Sequence, residues 1–391
     1  MFRRALSGAP ARRFFAAHAQ SCLGTGLAYV ALPLLAYDRF DTPWAIAAVL
    51  LPDLLPAIAL GPVLGALVDR IGWRTCAIVA DVLRCLAFVM VMSAESLPAM
   101  IAGAFVAGIG TALFSPAALA GLPQLVDGDE GKAAAMGLYG AIDDVGLTAG
   151  PAVAAGALAI VSPATLMGIN AVTFAISAIL ITSVAARGGS AVARATGTLW
   201  ADARAGVREL ASRPEIRTLL GSSTGVVFCI GITNVGEVVL AREVLHVGDS
   251  GLAAMVAAGG LGTVLGSLCT RFTTAGAWAW RYAYLVGVAC LAVELLACAA
   301  FDAYWLAVPA LALGGFGNGL ALVHDRLLLS HSTPASLHGR LFGLQKTCVS
   351  FAFAISFLTS SALIAQLGVQ AAFLIAGVGL AIVMGSALPR L

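Results

Sequence analysis

Long apolar runs recur along this chain at the length of a bilayer, and nothing constrains its fold more. Crossing about 30 Å of hydrocarbon takes about twenty apolar residues in a helix. About twelve such stretches can be read, near 14–37, 44–68, 75–94, 98–120, 134–161, 164–186, 217–241, 251–270, 283–301, 304–323, 341–366 and 370–388. The 391 residues are 60% hydrophobic and 11% charged, with a mean hydropathy of +0.96. A water-soluble surface cannot be covered from that composition, and lipid gives open backbone groups no partner, so the spans must be helices. The chain is therefore read as an all-α integral membrane protein in contact with the lipid bilayer. Its net charge of +2 gives no case for nucleic acid. Arg3, Arg4, Arg12 and Arg13 precede the first run as in a signal peptide, but that run is too long for an h-region and is expected to be retained.

A second constraint is an internal repeat. Gly61 to Arg74 carries Gly65, Asp69, Arg70, Gly72 and Arg74 at the end of one apolar run, and Gly262 to Phe272 repeats its glycines, its Val-Leu pair and its Arg about two hundred residues later. Thr270 stands where Asp69 would be. Gly108, Gly110 and Leu113 are echoed by Gly315, Gly317 and Leu320, Gly131-Lys132 by Gly339-Arg340, and Met136-Gly137-Leu138 by Phe342-Gly343-Leu344. Two homologous halves related by an axis along the membrane normal are expected: a six-helix bundle over 1–186, a linker over 187–213 and a second bundle over 214–391. In the linker, Leu199, Trp200, Ala203, Val207 and Leu210 share one helical face and Arg204 and Arg208 another, as in a helix lying on a membrane surface. A plain connector is the alternative.

If the N-terminus is cytoplasmic, the inner segments collect Arg70, Arg74, Lys132, Arg187, Arg194, Arg204, Arg208, Arg213, Arg271, Arg281, Arg326, Arg340 and Arg390, while the outer loops hold only Arg39 and Arg242. This bias predicts both termini inside. The eight cysteines all fall in apolar runs, without a C-x-x-C or clustering with His, and read as small buried residues. His18, His324, His331 and His338 are placed near the inner surface without metal-like convergence. No metal or cofactor is expected. No Walker loop, H-E-x-x-H or G-x-S-x-G is present, so an enzyme is not expected.

Intramembrane acids are costly and suggest function. Asp143 and Asp144 lie mid-span in the fifth run, with Tyr139 one turn before, and are read as a proton-coupling pair; two acids lining a wet cleft are the alternative. Asp53 in span two is the next candidate. Asp81 and Arg84 can pair with each other on span three. Glu237 near the outer end of span seven reads as wet and Lys346 as snorkelling to the interface, and Glu294 lies in span nine. Gly140, Asp143, Gly146, Gly150 and Ala154 form a smooth face on span five, interrupted by Pro151.

These residues resemble the major facilitator superfamily along the whole chain. Gly65, Asp69, Arg70, Gly72 and Arg74 look like its loop signature between helices two and three, with Trp73 and Thr75 departing from it. Gly146, Gly150, Pro151, Ala154 and Ala155 look like the helix-five motif of its antiporters. Phe114 to Ala117, Leu122 to Val126, and Pro334 through Arg340 look like the bacterial branch of enterobactin and macrolide exporters. The Arg common on helix four of many antiporters is missing. The resemblance implies two six-helix bundles, a central cavity lined by helices one, four, seven and ten, and alternating access. It also implies that Asp69 meets the start of helix eleven, and that the helix-five face meets Gly262 and Gly266 of helix eight.

The expected cavity draws on Gln20, Thr25, Tyr29, Thr111, Phe114, Ser115, Ser223, Phe228, Asn234, Glu237 and Asn318. Small polar groups with a few aromatics suit an amphipathic organic solute. The expected function is proton-driven efflux of such a small molecule, a drug, antibiotic or siderophore, by a monomer in a bacterial cytoplasmic membrane. An uptake permease or facilitator, or a non-transporting receptor, is the alternative.

Overall fold

The computed structural model describes residues 5–6, 8–184, 213–273, 276–333 and 338–387. Some helical side chains, those of Gly65, Asp69, Asp144, Gly339, Arg340 and Lys346 among them, lie outside the described set, as does 185–212, where the surface helix is expected. The helices are α1 (Ala9–Phe40), α2 (Pro43–Ile71), α3 (Trp73–Ser93), α4 (Leu97–Leu125), α5 (Gly128–Leu158) and α6 (Pro163–Thr182). They continue with α7 (Pro214–Val244), α8 (Asp249–Cys269), α9 (Ala277–Ala300), α10 (Tyr304–His331), α11 (His338–Leu367) and α12 (Val369–Ala387). Among the described residues, ten helices are long and apolar enough to cross a membrane, and Pro43–Ala57 and Ala149–Leu158 are shorter apolar stretches. The protein is all-α and multi-pass.

Local chemistry fixes the helix ends. Thr42 caps α2 through the N–H of Trp44, and Ser162 caps α6 through the N–H of Thr165, each just before a proline whose missing N–H costs nothing at that place. α1 stops at Asp41 in the left-handed region. Gly72, at φ +97°, ends α2 and starts α3 in one residue, which is why this sharp turn carries a glycine. α7 is broken after Ile230, resumes over Thr233–Val239 and closes in a π-helical turn, Leu240–Val244.

The chain divides into two compact units, Met1–Val192 and Ala193–Leu391. In the first, α1 packs on α5 and α6, α4 packs on α2 and α3, and α3 packs on α6. In the second, α10 packs on α8 and α9, α9 on α12, and α7 on α11 and α12. Glycines set the closest approaches. A Cβ on Gly150 would fall 2.4 Å from the Cα of Gly26, and one on Gly315 would fall 2.0 Å from the carbonyl oxygen of Gly259. Large apolar side chains such as Leu86, Ile179 and Ile382 point outward, as a lipid-facing surface requires.

Candidate functional site

The first unit holds two polar centres inside its apolar helices. One is built on α3. Arg84 and Asp81 form the expected ion pair, both buried, and Asp81 also accepts a hydrogen bond from Ser177 of α6 at 2.7 Å. The guanidinium lies over two rings, 4.4 Å from Phe114 of α4 and 4.2 Å from Phe174 of α6. Such stacking suits a planar, weakly hydrated cation. The pair is thus more than a local one: it ties three helices together. It also brings a cation to α4, the helix that carries no Arg of its own.

The second centre joins α1 to α5. His18, one of the histidines expected at the inner surface, is buried and stacked on Tyr139 at 4.3 Å and on Phe114 at 6.0 Å. Its Nε2 lies 3.2 Å from Oδ1 of Asp143, and the Cys22 thiol donates to the same oxygen at 3.3 Å. The readings of His18 as unconverged and of Cys22 as unclustered are corrected here. The signal was available in part: His18 and Cys22 are four residues apart, hence one above the other on one helix face. These three are the described His, Cys and acidic residues whose ligand atoms converge closely enough to hold a metal ion. Asp143 remains half exposed, and the side chain of its neighbour Asp144 lies outside the described residues, so the acidic pair itself is not in view.

Asp53 of α2 is partly buried and lies near Tyr29 of α1 and Arg84 of α3. In the second unit Glu294 is buried: its carboxylate fills the notch left by Gly314, where an added Cβ would meet Oε2 at 1.5 Å. Glu237 lies near it and is partly buried. Asp325 escaped attention because span ten was read as ending at 323. α10 runs on to His331, and Asp325 is buried there, accepting a hydrogen bond from Gln345 of α11 at 2.5 Å.

The residues expected at the cavity differ in exposure and in partners. Phe114 is buried beneath Arg84 and His18, and Ser223 is buried with its hydroxyl on the carbonyl of Leu220, so neither lines an open surface. Gln20 is spent on the carbonyls of Ala17 and Thr173, at 3.0 and 2.6 Å. Thr25 bonds back to Ser21, Asn234 reaches back to Gly231, and Ser115 lies near Tyr139. Thr111 and Phe228 are exposed, while Tyr29, Glu237 and Asn318 are partly buried.

Arg74 donates to the carbonyls of Ile181 and Thr182 and so caps the C-terminus of α6; Arg70 is exposed. Asp69 and Gly65 lie outside the described side chains, as does the start of α11 that Asp69 was expected to meet. Gly146 and Gly150 pack on Cys22 and Gly26 of α1, and Gly262 and Gly266 on Ala312 and Phe316 of α10. Each glycine face makes these contacts inside its own unit. Pro151, one residue beyond Gly150, lies inside α5 without ending it.

The Major Facilitator Superfamily profile matches residues 14–356. The chain is 24% identical over 365 residues to the uncharacterized MFS-type transporter YfiS of Bacillus subtilis (strain 168), covering 91% of this chain and 87% of that one. Its fold is similar to that of the nucleoside transporter NupG, with a TM-score of 0.75, 12% identity and coverage of 98% and 99% of the two chains. It is also similar to the human organic anion transporter MFSD10, with a TM-score of 0.66, 15% identity and coverage of 96% and 99%. These names do not single out the enterobactin and macrolide exporter branch. The chain belongs to the Major Facilitator Superfamily and is a multi-pass membrane transporter, not an enzyme.

Proposed function

We propose that this transporter moves a small amphipathic organic solute by alternating access, driven by proton movement through Asp53. The observation that carries the reading is the position of Asp53, an intramembrane acid near both Tyr29 and Arg84. An acid in a span is expensive unless it works, and a nearby fixed cation gives its two protonation states different surroundings. Small polar residues with a few aromatics along the spans suit an amphipathic solute. The structural likeness to nucleoside and organic anion transporters supports solutes of that size.

The direction of transport is read from the sign of accumulation. Cells expressing wild type, Asp53→Asn or no transporter are loaded with a panel of amphipathic dyes, antibiotics, nucleosides and organic anions, with and without an uncoupler. Wild type is expected to change the level of at least one compound, and both Asp53→Asn and the uncoupler to abolish the uphill part. A lowered level identifies export, including the drug and siderophore class; a raised level identifies an uptake permease. Uphill accumulation that survives the uncoupler sinks proton coupling. No change for any compound points to a receptor with a transporter fold.

A further inference from the structure

We infer that His18, Cys22 and Asp143 form a binding site for a thiophilic divalent ion of the zinc class, bridging α1 and α5. His18 and Cys22 leave the same face of α1, one turn apart. Asp143 arrives from α5, whose backbone is pressed onto α1 by Gly146 and Gly150. The donor atoms form a triangle: Nε2 to Oδ1 is 3.2 Å, Sγ to Oδ1 is 3.3 Å and Sγ to Nε2 is 3.6 Å. With Zn–S of about 2.3 Å and Zn–N or Zn–O of about 2.0–2.2 Å, neighbouring donors of a tetrahedron lie about 3.3–3.7 Å apart. The triangle matches one face of such a tetrahedron to about 0.3 Å.

The donor set points the same way. Imidazole, thiolate and a single carboxylate suit zinc, whereas calcium and magnesium want oxygen ligands. Both ring nitrogens of His18 stand 3.6 Å from the sulfur, so a small turn of the ring aims Nε2 at the ion. Tyr139 stacks parallel to that ring and restricts it to such small turns. His18 is 3% exposed and Asp143 48%, which leaves the fourth coordination position opening on the Asp143 side, to water or to a donor atom of a solute. On binding, Cys22 ligates as the thiolate and its proton passes to solvent. The site is independent of Asp53 and of the energy source for transport.

Cobalt(II), which replaces zinc in tetrahedral sites, is the probe for the full-length purified protein in detergent. Wild type is expected to show a sulfur-to-cobalt charge-transfer band and tetrahedral d–d bands that saturate at one equivalent and vanish when zinc is added. Cys22→Ser, with the other seven cysteines in place, should lose the charge-transfer band. His18→Gln and Asp143→Asn should each weaken binding by at least about tenfold, as loss of one of three protein ligands requires. Each variant is first shown to be monodisperse. Absence of the band in wild type overturns the site even if no variant folds, and so does a band unchanged in Cys22→Ser.

Discussion

The crossing of α3 with α4 and that of α9 with α10 use the same backbone contact and bury different charge. Gly110 meets the carbonyl of Ala80 and the stem of Arg84; Gly317 meets the carbonyl of Gly287 and the backbone N–H of Leu291. The separations agree, since 110 − 84 and 317 − 291 are both 26, and 110 − 80 and 317 − 287 are both 30. Where the first unit holds a guanidinium, the second holds a leucine. One turn further along α9, Glu294 occupies the position that Ala87 has on α3, facing Gly314 instead of Ala107. The first crossing neutralises its charge with Asp81, Ser177 and two rings. Among the described residues no basic side chain forms a salt bridge with Glu294. A glycine-built crossing thus fixes the approach of two helices and leaves the electrostatics free to diverge.

The largest effect is expected from removing the guanidinium. Arg84→Met leaves Asp81 buried with Ser177 alone and should destabilise the protein by about 3–5 kcal/mol, the cost of stranding one partner of a buried pair. Arg84→Met combined with Asp81→Asn should recover most of that loss, because no unpaired charge remains. Thermal unfolding in detergent checks both. If the single variant is no worse than Leu291→Ala in the second unit, the charge contributes nothing that a leucine does not.

A smaller effect is expected at the other matched contact, where α1 meets α5 and α7 meets α11. Gly26 touches Gly150 and Gly231 touches Ser356, at offsets 231 − 26 = 205 and 356 − 150 = 206. A Cβ on Gly150 would lie 2.4 Å from a backbone Cα, which cannot swing away, so Gly150→Ala should cost about 1–3 kcal/mol as overpacking does. Ser356→Ala removes only a hydroxyl and should stay within about 1 kcal/mol. Equal losses in the two variants would mean that the first unit can relax its α1–α5 spacing as freely as the second relaxes its own.

The sequence made part of this visible. Apolar runs of about twenty residues gave the helices, with ends that differ by up to eight residues where α10 runs on to His331, because lipid leaves few other solutions. The glycine echoes were legible because a close backbone approach needs the same small residue in each unit. What a helix face meets was not legible. The smooth face of α5 was evident, but its contact with Cys22 and Gly26 of α1 was not. Likewise the turn from His18 to Cys22 can be counted, but the arrival of Asp143 depends on helix packing that no local pattern encodes. Arg84 read as half of an intrahelical pair because its reach to Phe114 and Phe174 is a property of three helices. Asp325 was missed because it lies past the last apolar residue, where only the length of α10 shows that it is covered.

The smallest expected effect concerns the acid of the second unit. Glu294 is buried against Gly314 and has Glu237 nearby, while Asp53 has a fixed cation near it. If coupling needs an acid whose surroundings respond to its charge, Asp53 meets that need and Glu294 serves packing. Glu294→Gln keeps the shape and the fit into the glycine notch and removes only the ionisable group. Gradient-driven accumulation should then change by less than about twofold, a shift of under about 0.4 kcal/mol, while Asp53→Asn abolishes it. Loss of accumulation in Glu294→Gln, with the protein still folded, would move the coupling site into the second unit and reverse the assignment. The same variant with Gly314→Ala separates the two roles: extra bulk at residue 314 should lower stability whichever side chain stands at 294, and only a coupling role would make the carboxylate itself matter.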